Sequence, residues 1–199
     1  MRTPVFTRRL TIVTGHYGCG KTNLALNLAL DLARRHGQAT VVDLDVVNPY
    51  FRSSDYAARF APRNVQVIAP TFAGTTLDVP ALSAAIHSVF QSQVPVVFDV
   101  GGDDAGATAL GGYADSIAAA GFEMLYVVNR YRNLTQTPAE AAALLAEIEG
   151  ASHLRATGVV NNSNLRDLTT VDTVLSEAWF EVRYRVWKAE GETNSMKQG

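Results

Sequence analysis

The sequence predicts a three-layer α/β fold, with a mostly parallel sheet of about seven strands and helices on both faces. Short apolar runs bounded by turn residues alternate along the chain with helical segments, the order in which parallel strands and crossover helices follow one another. Several of those runs, such as ATVVDL and VPVVFDV, are continuous in β-branched residues, as strands covered on both faces are. The first run, RLTIVT, leads directly into a glycine-rich turn and a leucine-rich helix, GHYGCGKTNLALNLALDLA.

Taken in order, the expected strands are 9–14, 39–44, 65–70, 94–100, 122–129 and 155–161, with EVRYRV at 181–186 as a seventh. The helix after the first glycine turn has Leu24, Leu28 and Leu32 at i, i+4 and i+8, and Leu26 and Leu30 widen its apolar surface, so it is expected to be largely buried. Further helices fit 51–60, 78–91, 105–120, 138–150 and 169–178. Thr137-Pro138 supplies an N-cap and a proline at the first helical position for the fourth of these, 138–150. There is no internal repeat and no linker, so residues 1–187 read as one domain; KAEGETNSMKQG, 188–199, is polar and aperiodic and is expected to be disordered.

With 199 residues, 47% hydrophobic and 18% charged, the chain is expected to be soluble and globular with a sizeable core. A net charge of −2 gives no global basic field for nucleic acid or anionic lipid. The single cysteine, Cys19, excludes an intrachain disulfide and a four-thiolate metal site within one chain, and suits a reducing cytoplasm. The opening MRTPVFTRRLTIVTG lacks a long apolar core before the first strand, and no apolar run reaches the roughly 18 residues needed to span a bilayer. A cytoplasmic protein is the expectation.

Residues 15–22, Gly15, His16, Tyr17, Gly18, Cys19, Gly20, Lys21 and Thr22, satisfy G-x-x-x-x-G-K-T/S between a strand and a helix. Glycines let successive backbone N–H groups turn inward around phosphate oxygens, and the helix adds its positive end. Lys21 then reaches the β- and γ-phosphates, and the Thr22 hydroxyl ligates Mg²⁺. A dinucleotide-binding turn built on Gly18-x-Gly20 fails at the third glycine, where Asn23 stands, and leaves Lys21-Thr22 without a role. A bland glycine turn is the remaining alternative.

Two carboxylate groups follow at the strand ends. Asp43 and Asp45 lie at the edge where open α/β sheets bind ligands, and could hold Mg²⁺ through water or orient an attacking water; alone they would read as a solvated turn before Asn48-Pro49. Asp99 closes an apolar strand, as a carboxylate that binds Mg²⁺ through its water shell does. Gly101, Gly102 and Gly106 make the segment after it one that can move, with the Gly102 N–H meeting a γ-phosphate. Asp103 or Asp104 can at the same time cap the helix beginning near 105.

GHYGCGKT, DLD, FDVGG and VVNNSN, in this order and spacing, resemble the MinD/ParA/nitrogenase-iron-protein branch of P-loop NTPases, the SIMIBI class, over residues 9–165. More closely, VTGHYGCGKT, DLDVVNPYFRS, FDVGGDDAGA and GVVNNSNL resemble small bacterial MinD-like or CobQ/CobB-like nucleotide-binding proteins. The resemblance implies the P-loop NTPase fold, binding of ATP with Mg²⁺, slow hydrolysis and a nucleotide-dependent homodimer. By matching position it implies that Lys21 and Thr22 bind phosphate and magnesium, that Asp45 positions the water, that Asp43 and Asp99 support the metal, and that Gly102 senses the γ-phosphate. Asn162 matches an adenine-contacting asparagine, against a plain turn residue. Asn161, Asn162, Ser163 and Asn164 offer amides and a hydroxyl but no carboxylate to read guanine.

The class expected is therefore an ATPase acting as a switch or driving an unidentified protein or small-molecule partner. Its rivals are a phosphotransferase or ligase of the dethiobiotin-synthetase type and a module that loads ATP without turnover. Iron–sulfur carriage is discounted by the single cysteine, membrane cycling by a tail without an apolar stripe, and nonspecific DNA binding by the lack of a basic stripe, of which Arg130, Arg132 and Arg166 are the only hints. Tyr50, Phe51 and Arg52 are either site contacts or helix-start core, and His36, His87 and His153 show no metal-ligand spacing. One departure stands out. His16 occupies the position where the resembling ATPases carry a lysine that reaches a partner's phosphates, so no strong trans-acting cation is expected; the alternative is a neutral loop residue.

Overall fold

The computed structural model describes residues 8–44, 53–69, 78–102, 104–164 and 168–170. Six parallel strands form one sheet: β1 (Leu10–Gly15), β2 (Ala39–Asp43), β3 (Val65–Ile68), β4 (Val96–Asp99), β5 (Phe122–Val128) and β6 (Gly158–Asn161), in the order β3-β2-β4-β1-β5-β6. The helices are α1 (Lys21–His36), α2 (Ser53–Phe60), α3 (Asp78–Gln91), α4 (Asp104–Gly111), α5 (Ala114–Ala120) and α6 (Pro138–Ser152). This is the expected three-layer architecture. The seventh strand at 181–186, the 169–178 helix apart from its first two residues, and the 188–199 tail lie outside the described residues, so the division at 187 does as well.

Successive strand residues feed two different cores. Ile12, Val42, Phe98 and Tyr126 pack with Ile86 of α3, Leu110 of α4, Ile117 of α5 and Leu145 of α6. Their neighbours Val13, Val41, Val97 and Val127 pack against α1 and Phe60 of α2. The sheet is apolar on both faces because both faces are covered. β1 and β4 are neighbours whose following helices leave to opposite faces, and the crevice between two such strands is where an open α/β sheet receives a ligand.

Two helices differ from expectation. The buried seam of α1 is Ala25, Leu26, Ala29, Leu32 and Ala33, with Leu24, Leu28 and Leu30 only partly covered. Three alanines share the seam with Leu26 and Leu32, so of the 24-28-32 leucines only Leu32 is in it. The expected single helix over 105–120 is two, broken at Gly111-Gly112. A methyl on Gly111 would lie 2.7 Å from the Ala151 carbonyl of α6, so the close approach of the helices requires glycine there. Adjacent glycines weaken the helix, and Tyr113 N–H closes it by bonding Leu110 C=O at 2.9 Å. At α6 the expected cap is complete. The Thr137 hydroxyl accepts from Glu140 N–H at 3.3 Å and the Glu140 carboxylate accepts from Thr137 N–H at 2.9 Å.

Candidate functional site

The loop between β1 and α1 is shaped by backbone conformations that only glycine adopts readily. Gly15 has φ +146°, and a methyl on it would run into the Val127 carbonyl of β5; Gly18 and Gly20 sit at φ +72° and +91°. Gly20 is the N-cap of α1 and makes no side-chain cap bond, and no acidic residue occupies the first turn. The positive end of α1 therefore opens onto the loop, an arrangement that favours an anion.

Lys21 is 95% covered, at 5% exposure, yet among the described residues its Nζ donates only a long 3.3 Å hydrogen bond, to the His16 carbonyl. Thr22 follows it half-buried at the helix start. Asp43 and Asp99 are register partners on adjacent strands, two residues beyond Val41 and Val97, and so point to the α1 face of the sheet. Asp99 is 3% exposed. Burial, above all, pushes the Cys19 thiol above its usual range; the Lys21 ammonium pulls it down and the Asp99 carboxylate pushes it up, which places all three in one electrostatic neighbourhood.

A hydroxyl and two carboxylates are oxygen donors of the kind Mg²⁺ takes. Among the described residues no cluster of three His, Cys, Asp or Glu side chains forms a dedicated metal cage. Asp45 lies outside the described residues, as do Tyr50, Phe51 and Arg52.

Gly102 meets the loop from the β4 side. A methyl there would lie 2.6 Å from Tyr17 N, 2.7 Å from Gly15 O and 2.8 Å from His16 C. Asn162 meets it from the β6 side, its Nδ2 donating to Cys19 O at 2.7 Å while its own N–H bonds Val128 O at 2.8 Å. The asparagine is thus more than a turn residue: it braces the loop, and a methyl on Gly20 would strike its amide. Tyr17 points outward at 64% exposure.

Two residues on the loop after β5 belong to this neighbourhood and were not expected there. Asn129, fully buried, accepts from Tyr131 N–H at 3.0 Å and from Asn164 N–H at 3.4 Å, tying the β5 and β6 loops together. Arg132, noted in the sequence only as a basic residue, lies against Gly18. The sole signal in the sequence was their place at a strand end on the same sheet edge as the glycine loop.

His16 is half-buried, and its Nδ1 has no hydrogen-bond partner among the described residues. Burial, followed by the Lys21 charge, holds its imidazole below the ordinary histidine value. The unfolded chain then takes up the proton first as pH falls, so His16 contributes stability that is complete above about pH 6.5 and is lost below it. His16→Gln is expected to flatten the fall in urea midpoint between about pH 7.5 and 5.5. Parallel curves for the two proteins would assign that fall to other groups.

In sequence, no protein-family model and no curated protein matches the chain. In fold it is similar to the kinase domain of the Escherichia coli tyrosine kinase ETK, with TM-score 0.53, 16% identity and coverage of 81% of this chain and 69% of that one. It is also similar to the cell division protein ftsY of Thermotoga maritima, with TM-score 0.51, 18% identity and coverage of 79% and 53%. The chain thus spans about half the length of the second. At these identities the likeness is one of fold alone, a mostly parallel sheet flanked by helices on both faces.

Proposed function

We propose that this chain is a Mg²⁺-dependent ATP-binding protein and slow ATPase of the SIMIBI class, a nucleotide switch or a driver of a partner. The observation that carries the proposal is the open end of α1 under three positive-φ glycines, with the Lys21 ammonium buried beside it on one long hydrogen bond. A closer kinship with MinD-like or CobQ/CobB-like proteins rests on the motifs in the sequence.

In this reading the loop N–H groups and Lys21 bind the β- and γ-phosphates, and Thr22, Asp43 and Asp99 hold the metal, directly or through water. Bound Mg²⁺ supplies charge neutralisation on the phosphate oxygens. Asp45 orients the attacking water. Gly102 senses the γ-phosphate, from a position already against the first residues of the loop. Asn162 is the candidate base contact; with its Nδ2 bonded to Cys19 O, its Oδ1 is the atom left to accept from an exocyclic amine. A homodimer formed with nucleotide is part of the proposal, without a strong cation from position 16, whose imidazole is held toward neutrality.

ATP is expected to outcompete GTP by at least roughly tenfold, about 1.4 kcal/mol, because no carboxylate stands in Asn161–Asn164 to read guanine. Displacement of labelled ATP by each unlabelled nucleotide measures this, and ADP release across a Mg²⁺ titration measures turnover. Equal displacement by GTP would overturn the base assignment. Binding without ADP release would favour an ATP-loaded module, and release that depends on a small acid or alcohol would favour a transferase.

A further inference from the structure

We propose that Arg132 is a phosphate-binding cation of this loop, supplied from within the same chain. The inference rests on the nucleotide-binding reading above and adds a residue to it. A methyl built on Gly18 would lie 3.4 Å from Arg132 Nε, 3.5 Å from Cζ and 3.8 Å from Cδ, so the guanidinium lies along the loop at the turn where Gly18 adopts φ +72°.

The placement is built by buried polar groups. Arg132 N–H donates to Asn129 O at 3.0 Å, and the Arg132 carbonyl accepts from Thr135 N–H at 3.3 Å and from its hydroxyl at 3.2 Å. The fully buried Thr135 hydroxyl also donates to Asn129 O at 2.7 Å. These bonds use only the backbone of Arg132, and its exposed side chain takes no part in holding the turn. No carboxylate or carbonyl of the described residues accepts from its guanidinium. Its neighbour Arg130 is directed elsewhere, 5.2 Å over the Tyr131 ring.

A charged, exposed guanidinium laid against a phosphate-binding loop has an evident ligand in the phosphate oxygens that loop would hold. Its planar donors match phosphate, and its charge is permanent at any working pH. The loop otherwise has Lys21 and the α1 terminus, while the His16 imidazole is held toward neutrality by burial and by Lys21. Arg132 thus adds the lasting charge that position 16 lacks.

The test is calorimetric binding of Mg-ATP and of inorganic tripolyphosphate to the full chain, with salt titrated. Arg132→Ala is expected to weaken both by roughly tenfold or more and to lower the salt dependence of binding, as loss of a charged hydrogen bond does. Arg132→Lys should recover part of the affinity, keeping the charge without the fork. Unchanged urea midpoints would show that the turn is intact in both variants. If Arg132→Ala binds both ligands as wild type does while Lys21→Ala does not, the assignment of Arg132 is overturned and the loop reading stands. If neither variant loses affinity, the loop reading itself fails.

Discussion

Lys21→Ala is expected to lose Mg-ATP affinity by roughly a hundredfold or more, about 2.7 kcal/mol, and to keep its fold. A buried ammonium is costly unless its donors are satisfied, and among the described residues Lys21 has only the 3.3 Å bond to His16 O. In the absence of ligand the side chain therefore adds little to stability beyond the packing of its methylenes. With phosphate present the same ammonium gains charged acceptors, and the binding difference follows. Lys21→Met keeps most of the apolar stem and should match Lys21→Ala in affinity while sitting closer to wild type in urea midpoint. Mg-ATP binding by either variant at wild-type strength would sink the phosphate-loop assignment. A variant that fails to fold would instead make Lys21 a structural residue.

The parts of this site that could be read from the sequence are those encoded locally. Gly15, Gly18 and Gly20 are spaced for the turn, and their backbone angles bear that out. Asp43 and Asp99 end apolar runs, and the parallel register brings them side by side. The α6 cap is visible in Thr137-Pro138 because every atom of it lies within four residues.

What the sequence did not disclose is set by approach distances between distant segments. The brace from Asn162 to Cys19 joins residues 143 apart, and nothing in NNSN says which carbonyl its amide will meet. Arg132 at Gly18 depends on the turn that Asn129 and Thr135 hold, which has no short motif. The break at Gly111-Gly112 is similar: a helical pattern runs through it, and only the Ala151 carbonyl across the α4–α6 contact shows why glycine is required. In α1 the leucine stripe is the stronger pattern by hydrophobicity, yet the buried face sets Ala25, Ala29 and Ala33 beside Leu26 and Leu32 and leaves Leu24 and Leu28 only partly covered.

Gly102→Ala is expected to lower ATP turnover by roughly a hundredfold and to destabilise the fold by about 1–3 kcal/mol. The three atoms that its methyl would meet, Tyr17 N, Gly15 O and His16 C, belong to backbone, so no rotamer change can make room. Either the segment after β4 or the start of the glycine loop must move. The segment is pinned on both sides, by Val100 N–H to Val13 O at 3.0 Å and by Gly106 packed so closely on Gly101 that a methyl there would lie 2.7 Å from its nitrogen. The strain is therefore shared with residues 15–17, which open the loop, and ATP should lose more affinity than ADP. Gly106→Ala supplies the comparison, because it strains the same junction against Gly101 without touching the loop. It should cost similar stability and retain far more turnover. Equal loss of turnover in the two variants, at matched urea midpoints, would mean that the contact between Gly102 and the loop is not what turnover depends on.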